Sequence, residues 1–148
     1  VDQNRLTRHV LLVGYGRVGQ RIAQSLTAKG ISIVVAEQNR EKVEHLRKQG
    51  IPAISGDASE PAVLIQAHVA RARMLVIAIP DAFRARKMIE IARMLKPNII
   101  TVVRVHSDEE ESLLRKEVTG RVFMGEHELA LAMTQYVLEC ENDDSDAA

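Results

Sequence analysis

The sequence predicts an α/β domain built on a doubly wound parallel sheet, and three observations carry that expectation. Short apolar runs alternate with amphipathic stretches along the whole 148-residue chain, as strands and crossover helices of a parallel sheet do. Hydrophobic residues make up 46% of the chain but aromatics only 3%. That leaves a core of Val, Ile, Leu and Ala, which suits strands covered on both faces. The first apolar run ends in Gly14-Tyr15-Gly16-Arg17-Val18-Gly19 and passes straight into a helical pattern. The expected strand order is 3-2-1-4-5-6, with right-handed crossovers.

Val1 to Arg8 is polar and aperiodic, and reads as a linker or leading arm. The first strand is expected over His9 to Val13, and the first helix over Arg17 to Lys29. That helix carries Val18, Ile22, Ala23 and Leu26 on one face, with Gly30 as its C-terminal cap. A second strand, Ser32 to Ala36, ends at Glu37. Asn39 is placed to cap a helix over Arg40 to Gln49. Ile51 to Ser55 is a short third strand, followed by Gly56-Asp57-Ala58 and a helix from Glu60 to about His68 with Ser59 as its expected cap. Met74 to Ile79 reads as a strand buried on both faces. Pro80-Asp81 then turns into a helix over Ala82 to Leu95. A fifth strand over Ile99 to Val105 precedes Ser107-x-x-Glu110, a capping-box pattern, and a helix to about Val118. A short sixth strand over Arg121 to Met124 leads to a last helix from Glu126 to about Leu138. The domain therefore spans residues 9 to 139. Residues 140 to 148, with Asp143, Asp144 and Asp146, are expected to be a disordered acidic tail.

Lys+Arg and Asp+Glu balance at 20 each, so no global positive charge points to nucleic acid. The lone Cys140 cannot form an internal disulfide and suits a reducing compartment. No apolar run approaches the ~18 residues of a membrane span, and no signal peptide is recognisable. The chain begins with Val1 rather than Met, which gives the expectation that it was cut from something longer.

In a sheet of this order, ligands bind beyond the carboxyl ends of the strands, where the order reverses. Each glycine of the first loop has its own task there. Gly14 permits the tight turn, Gly16 lets a pyrophosphate approach the backbone, and Gly19 lets the helix pack closely. The helix N-terminus offers free N–H groups and a positive dipole end to an anion. Glu37 lies at about the ~20-residue offset of the acid that holds the adenosine ribose in a Rossmann-like site. Its charge favours NAD or an adenine mononucleotide over NADP, although the nearby Arg40 is of the type that accommodates a 2′-phosphate. Asp57 and Ala58 stand where the adenine edge would lie. Tyr15, Arg17 and Val18 within the loop, Gln38 beside Glu37, and Ile79 at the end of the fourth strand complete the near wall. Arg104 interrupts a buried strand and needs an anion, either a ligand phosphate or an acid such as Glu126. His106, Glu126 and His127 invite a metal reading, but no H-E-x-x-H or Cys pair supports it, and no metal is expected. No Ser-His-Asp or Cys-His grouping stands out, so binding rather than catalysis is expected.

The assembled pattern resembles the RCK, or TrkA-N, nucleotide-binding domain that regulates potassium channels and transporters. The residues that carry the resemblance are Val13-Gly14-Tyr15-Gly16-Arg17-Val18-Gly19, Glu37-Gln38-Asn39, Gly56-Asp57-Ala58-Ser59 and Val103-Arg104-Val105. It covers roughly Arg8 to Leu138 and is most similar to the cytosolic C-terminal domain of Kef-type potassium:proton antiporters. The resemblance implies a soluble domain on the cytoplasmic face of the bacterial inner membrane, fused to a membrane-spanning antiporter domain. It implies a homodimer formed through the last strands and helices, with bound NAD(H), AMP or ATP biasing the transport gate. It also assigns the glycine loop to phosphate, Glu37 to ribose, and Asp57 with Ala58 to adenine. Arg104 would touch phosphate or carry the state of the site across the dimer. Glu37 replaces the Asp more common in the family, and a second lobe of the TrkA-C type is not expected. Two other readings compete: an NAD-dependent oxidoreductase fragment lacking its substrate domain, and a free-standing NAD-binding subunit of a potassium uptake system.

Overall fold

The computed structural model describes residues 8–117 and 120–147; the expected arm over residues 1–8 lies almost wholly outside them, as does Val118. Six strands form one parallel sheet: β1 (Val10–Val13), β2 (Ile33–Glu37), β3 (Ala53–Ser55), β4 (Met74–Ile77), β5 (Ile100–Val105) and β6 (Arg121–Met124). Their order is β3-β2-β1-β4-β5-β6, the doubly wound order expected from the sequence. Val13 pairs with Ala36 on one side and Ile77 on the other, so β1 is central and its glycine loop emerges at the point where the order reverses.

The helices are α1 (Arg17–Ala28), α2 (Arg40–Lys48), α3 (Pro61–Gln66), α4 (Ala82–Leu95), α5 (Asp108–Arg115) and α6 (Gly125–Ala147). Alternation along the strands separates two cores, because successive side chains point to opposite faces. Leu11, Val13, Leu75, Ile77, Val103 and Val105 face one side and pack with residues of α3, α4 and α5. Val10, Leu12, Ile33 and Val35 face the other, under Ala23 of α1 and Val43 and Leu46 of α2. No helix among the described residues covers β4, β5 and β6 on that second face. Val18, Ile22, Met74, Val102 and Phe123 instead line an apolar groove of ≈ 570 Å³ there.

Several sequence expectations are corrected, and β4 ends at Ile77, two residues before the expected Ile79. Ser59 does not cap α3. The cap position belongs to Glu60, which contributes no side-chain bond, and Ser59 donates to Asp57 instead. The helix is also shorter than expected, because His68 takes a left-handed conformation (φ 58) ahead of a single 3₁₀ turn at Val69–Arg71. The last helix is longer than expected. It runs to Ala147, so the acidic stretch expected to be disordered is helical as far as it is described. From Leu129 to Asp144 α6 is exposed, and it leaves Leu129, Leu131, Met133, Tyr136, Val137 and Leu138 in solvent at 48% to 67% exposure. No helix among the described residues is long and apolar enough to cross a membrane.

Candidate functional site

The glycine loop has the conformation its residues allow. Gly14 has φ +97, a region L side chains rarely adopt, and a Cβ there would lie 2.7 Å from Cγ2 of Ile79. At Gly19 a Cβ would run into the carbonyl oxygen of Gly14, so only glycine lets α1 return over its own loop. At Gly16 a Cβ would meet nothing within 4 Å. That open space lies in front of the helix end.

The N-terminus of α1 differs from those of α2, α4 and α5. Asn39 accepts from the backbone of Glu41 and Lys42, Asp81 from Arg84, and Ser107 from Glu110, so α2, α4 and α5 each have a side-chain cap. Gly16 occupies the same position on α1 and offers no side chain. The N–H groups of Arg17, Val18 and Gly19 therefore face an uncapped end with a positive dipole.

Glu37 ends β2 beside this loop, and its carboxylate is already engaged. One oxygen accepts from the Tyr15 N–H at 2.9 Å and the other from the Asn39 N–H at 2.6 Å. It ties the glycine loop to the turn before α2, while each oxygen keeps a second lone pair for a ribose hydroxyl. The sequence identified the acid but not this second, structural task.

Asp57 follows β3. Its Oδ1 accepts from the Ser59 N–H at 2.9 Å, from the Ser59 hydroxyl at 2.7 Å and from the Arg84 guanidinium. Burial opposes ionisation, but the Arg84 bond, the two Ser59 bonds and the Arg84 charge outweigh it. They hold the carboxyl at about 2, below its ordinary 3.8. Ala58 is buried, and its N–H donates to no group among the described residues. Arg84 also reaches Gln38, whose amide oxygen accepts from the same guanidinium once the amide is turned toward it. Sequence reading missed Arg84. The available signal was a cation in the first turn of α4, where the helix dipole disfavours it.

Arg104 is half-buried on β5, and its guanidinium donates weakly to the Ala78 carbonyl at 3.4 Å. Glu126 is exposed and pairs with nothing among the described residues; the Glu126 alternative is thereby removed. Arg104 lies near the end of β4, where Ala78 also approaches Gly19, its Cβ 3.8 Å from where a Cβ on Gly19 would stand. The structure thus brings Gly14 to Gly19, Glu37, Gln38, Asp57, Ile79 and Arg104 together along the carboxyl edge of the sheet. It does not bring His106 or Glu126 to a ligand cluster with His127. His127 instead sits between Asp108 at 3.2 Å and Glu111 at 3.7 Å, one carboxylate at each ring nitrogen. Glu111 is shared with Arg115. Asp108, Glu111 and His127 each offer one ligand atom within 4.8 Å of the others, so the cluster differs in membership from the one the sequence suggested.

Comparison with known proteins decides the family. The TrkA-N domain model matches residues 10–125. The chain belongs to the TrkA-N family. Inner membrane protein YbaL of Escherichia coli is 35% identical over 130 residues, covering 88% of this chain and 23% of YbaL. The crystal structure of its TrkA-N domain superposes with a TM-score of 0.84 over 88% of this chain and 96% of that one. The glutathione-regulated potassium-efflux protein KefC of Enterobacter is 30% identical over 107 residues, covering 72% of this chain and 17% of KefC. The C-terminal domain of a Shewanella denitrificans Kef protein, solved in an AMP-bound form, shares the fold at 22% identity with a TM-score of 0.75, covering 89% of this chain and 80% of that one. The chain thus spans less than a quarter of the length of its curated relatives.

Proposed function

We propose that this TrkA-N domain binds an adenine nucleotide, NAD(H) or AMP/ATP, at the glycine loop and so regulates a Kef-type potassium:proton antiporter. The observation that carries the reading is the uncapped start of α1. Its free N–H groups face open space at Gly16, which is how folds of this order receive a phosphate. Glu37 lies one bond from the loop and meets the ribose. Asp57 and the free Ala58 N–H read the adenine edge, and Arg104 approaches the phosphate from β5. Gln38, Tyr15, Val18 and Ile79 shape the walls. Both carboxylates of the site are already engaged, Glu37 by two backbone N–H groups and Asp57 by Ser59 and Arg84, which suits binding, and we read the domain as a sensor.

The last helix supplies the link to a partner. Its exposed apolar residues and the uncovered groove over β4 to β6 are complementary surfaces on one chain. Such patches on a soluble domain mark an interaction site. Two copies related by a two-fold axis would each lay α6 against the other, and nucleotide state would reach the antiporter through that dimer. The domain sits on the cytoplasmic side of the membrane, as the soluble part of the same parent chain.

Calorimetric titration with NAD, NADH, NADP, AMP and ATP tests the reading. Selective, stoichiometric binding of an adenine nucleotide, with a matching rise in melting temperature by mass action, is the expected result. No binding by any of the five would reduce the loop to architecture. A preference for NAD(H) accompanied by hydride transfer to an added acceptor would favour the oxidoreductase alternative.

A further inference from the structure

We infer that Arg84 is a specificity-determining positioning residue, which orients Asp57 so that its free carboxylate oxygen accepts the exocyclic amine of adenine. The inference rests on the nucleotide reading above and adds a residue to it. Three donors from two elements converge on Oδ1 of Asp57: the Ser59 N–H, the Ser59 hydroxyl and the Arg84 guanidinium. Among the described residues Oδ2 accepts nothing, and the side chain keeps 35% of its surface exposed. A short aspartate at a turn can otherwise swing between rotamers, and Ser59 is its immediate neighbour on the same turn. Arg84 is the restraint that comes from elsewhere.

Arg84 is itself held on both sides. Its backbone N–H donates to Asp81 at 3.1 Å, and its guanidinium spans Asp57 and Gln38. The planar fork thus links the start of α4 to the ends of β2 and β3, and a lysine, a point charge on a flexible stem, lacks the rigid fork that fixes both bonds in one geometry. The same contact keeps Asp57 ionised down to strongly acid pH, so the carboxylate only accepts. An acceptor-only group matches the amine of adenine and opposes the carbonyl that guanine and hypoxanthine carry at the same ring position.

The test compares AMP with purine riboside 5′-monophosphate, the same nucleotide without its amine, by calorimetry on the whole 148-residue chain. The wild type is expected to prefer AMP by about tenfold, the size of one hydrogen bond to a charged acceptor. Arg84→Ala should reduce that preference to about twofold by weakening AMP, while the amine-free ligand binds within about twofold of its wild-type affinity. Arg84→Lys should retain an intermediate preference, and Asp57→Asn should lose it as Arg84→Ala does. Equal weakening of both ligands in Arg84→Ala would show a merely structural role and overturn the inference. So would an unchanged preference. Failure of the wild type to bind either ligand would overturn the nucleotide reading, and this inference with it.

Discussion

The two halves of the sheet are finished to different degrees. Around β1, β2 and β3 both faces are covered, and side chains close the loops: Glu37 fastens the glycine loop, Asn39 caps α2, and Asp57 gathers Ser59 and Arg84. Around β4, β5 and β6 one face is an apolar groove, and α6 carries its apolar residues into solvent. In the first half the starts of α1 and α3 both lack a side-chain cap, and the start of α1, at the glycine loop, is a polar end. In the second half the unsatisfied surface is apolar. A polar, uncapped helix start in a bonded frame suits a small anionic ligand, whereas an apolar surface of this extent suits a protein partner.

Substitutions at the junction of the loop and α1 should have the largest effect. Gly19→Ala forces a Cβ into the Gly14 carbonyl, and we expect a loss of about 3 kcal/mol in thermal or urea unfolding, with nucleotide binding lost as well. A wild-type melting temperature in that variant would contradict the close packing on which the first half depends. The second half is probed on α6, where Leu129, Met133 and Tyr136 share one stripe at helical spacing. The wild type should have the mass of two chains by light scattering, and Met133→Glu the mass of one, with adenine-nucleotide affinity changed by less than about threefold. A monomeric wild type would leave the groove without its proposed occupant.

Smaller effects sharpen the polar half. Glu37→Ala removes acceptors from the Tyr15 and Asn39 N–H groups, and should cost about 1 to 2 kcal/mol of stability. It should weaken NAD about tenfold and NADP less, since a 2′-phosphate gains when the carboxylate is gone. Equal losses for the two would mean that Glu37 serves the loop alone. The smallest effect is electrostatic. Asp57 ionises at about 2 in the folded chain against an ordinary 3.8, so its contribution is fully present above pH ~4 and is lost as pH falls toward ~2. With its side chain 35% exposed, screening leaves on the order of 1 kcal/mol. The stability difference between wild type and Asp57→Asn should shrink by that amount between pH ~4 and ~2, and a difference that stayed constant would contradict the pairing with Arg84.

Features fixed by local rules were legible in the sequence. Strand order follows from the alternation of elements, and the bounds of α4 and β6 match those expected because Asp81, Pro97 and the short apolar run delimit them. The candidate residues do share one edge, since that edge is where every strand of a parallel sheet ends. What stayed hidden depends on partners from distant elements. Arg84 meets Asp57 only because α4 begins where β3 ends, 27 positions away in the chain. The double bonding of Glu37 needs the folded loop. Ser59 looked like a cap because caps and Asx turns use the same residue types. The length of α6 was misjudged because Asp143, Asp144 and Asp146 resemble a disordered tail, and the pattern alone does not show whether a helix without a local core continues.

The most direct test of the central claim sets Gly16→Asp beside the wild type, measuring melting temperature and AMP affinity on the same samples. Gly16 has an extended backbone, φ −84 and ψ −158, and no neighbour for a Cβ within 4 Å. An aspartate there would cap α1, as Asn39, Asp81 and Ser107 cap their helices, and would occupy the N–H groups proposed for phosphate. We expect a melting temperature unchanged or raised, since Asp exceeds Gly at a cap by a few tenths of a kcal/mol or more, together with about 100-fold or greater loss of AMP affinity. Undiminished AMP affinity in a folded Gly16→Asp chain would contradict it and move the nucleotide away from the start of α1.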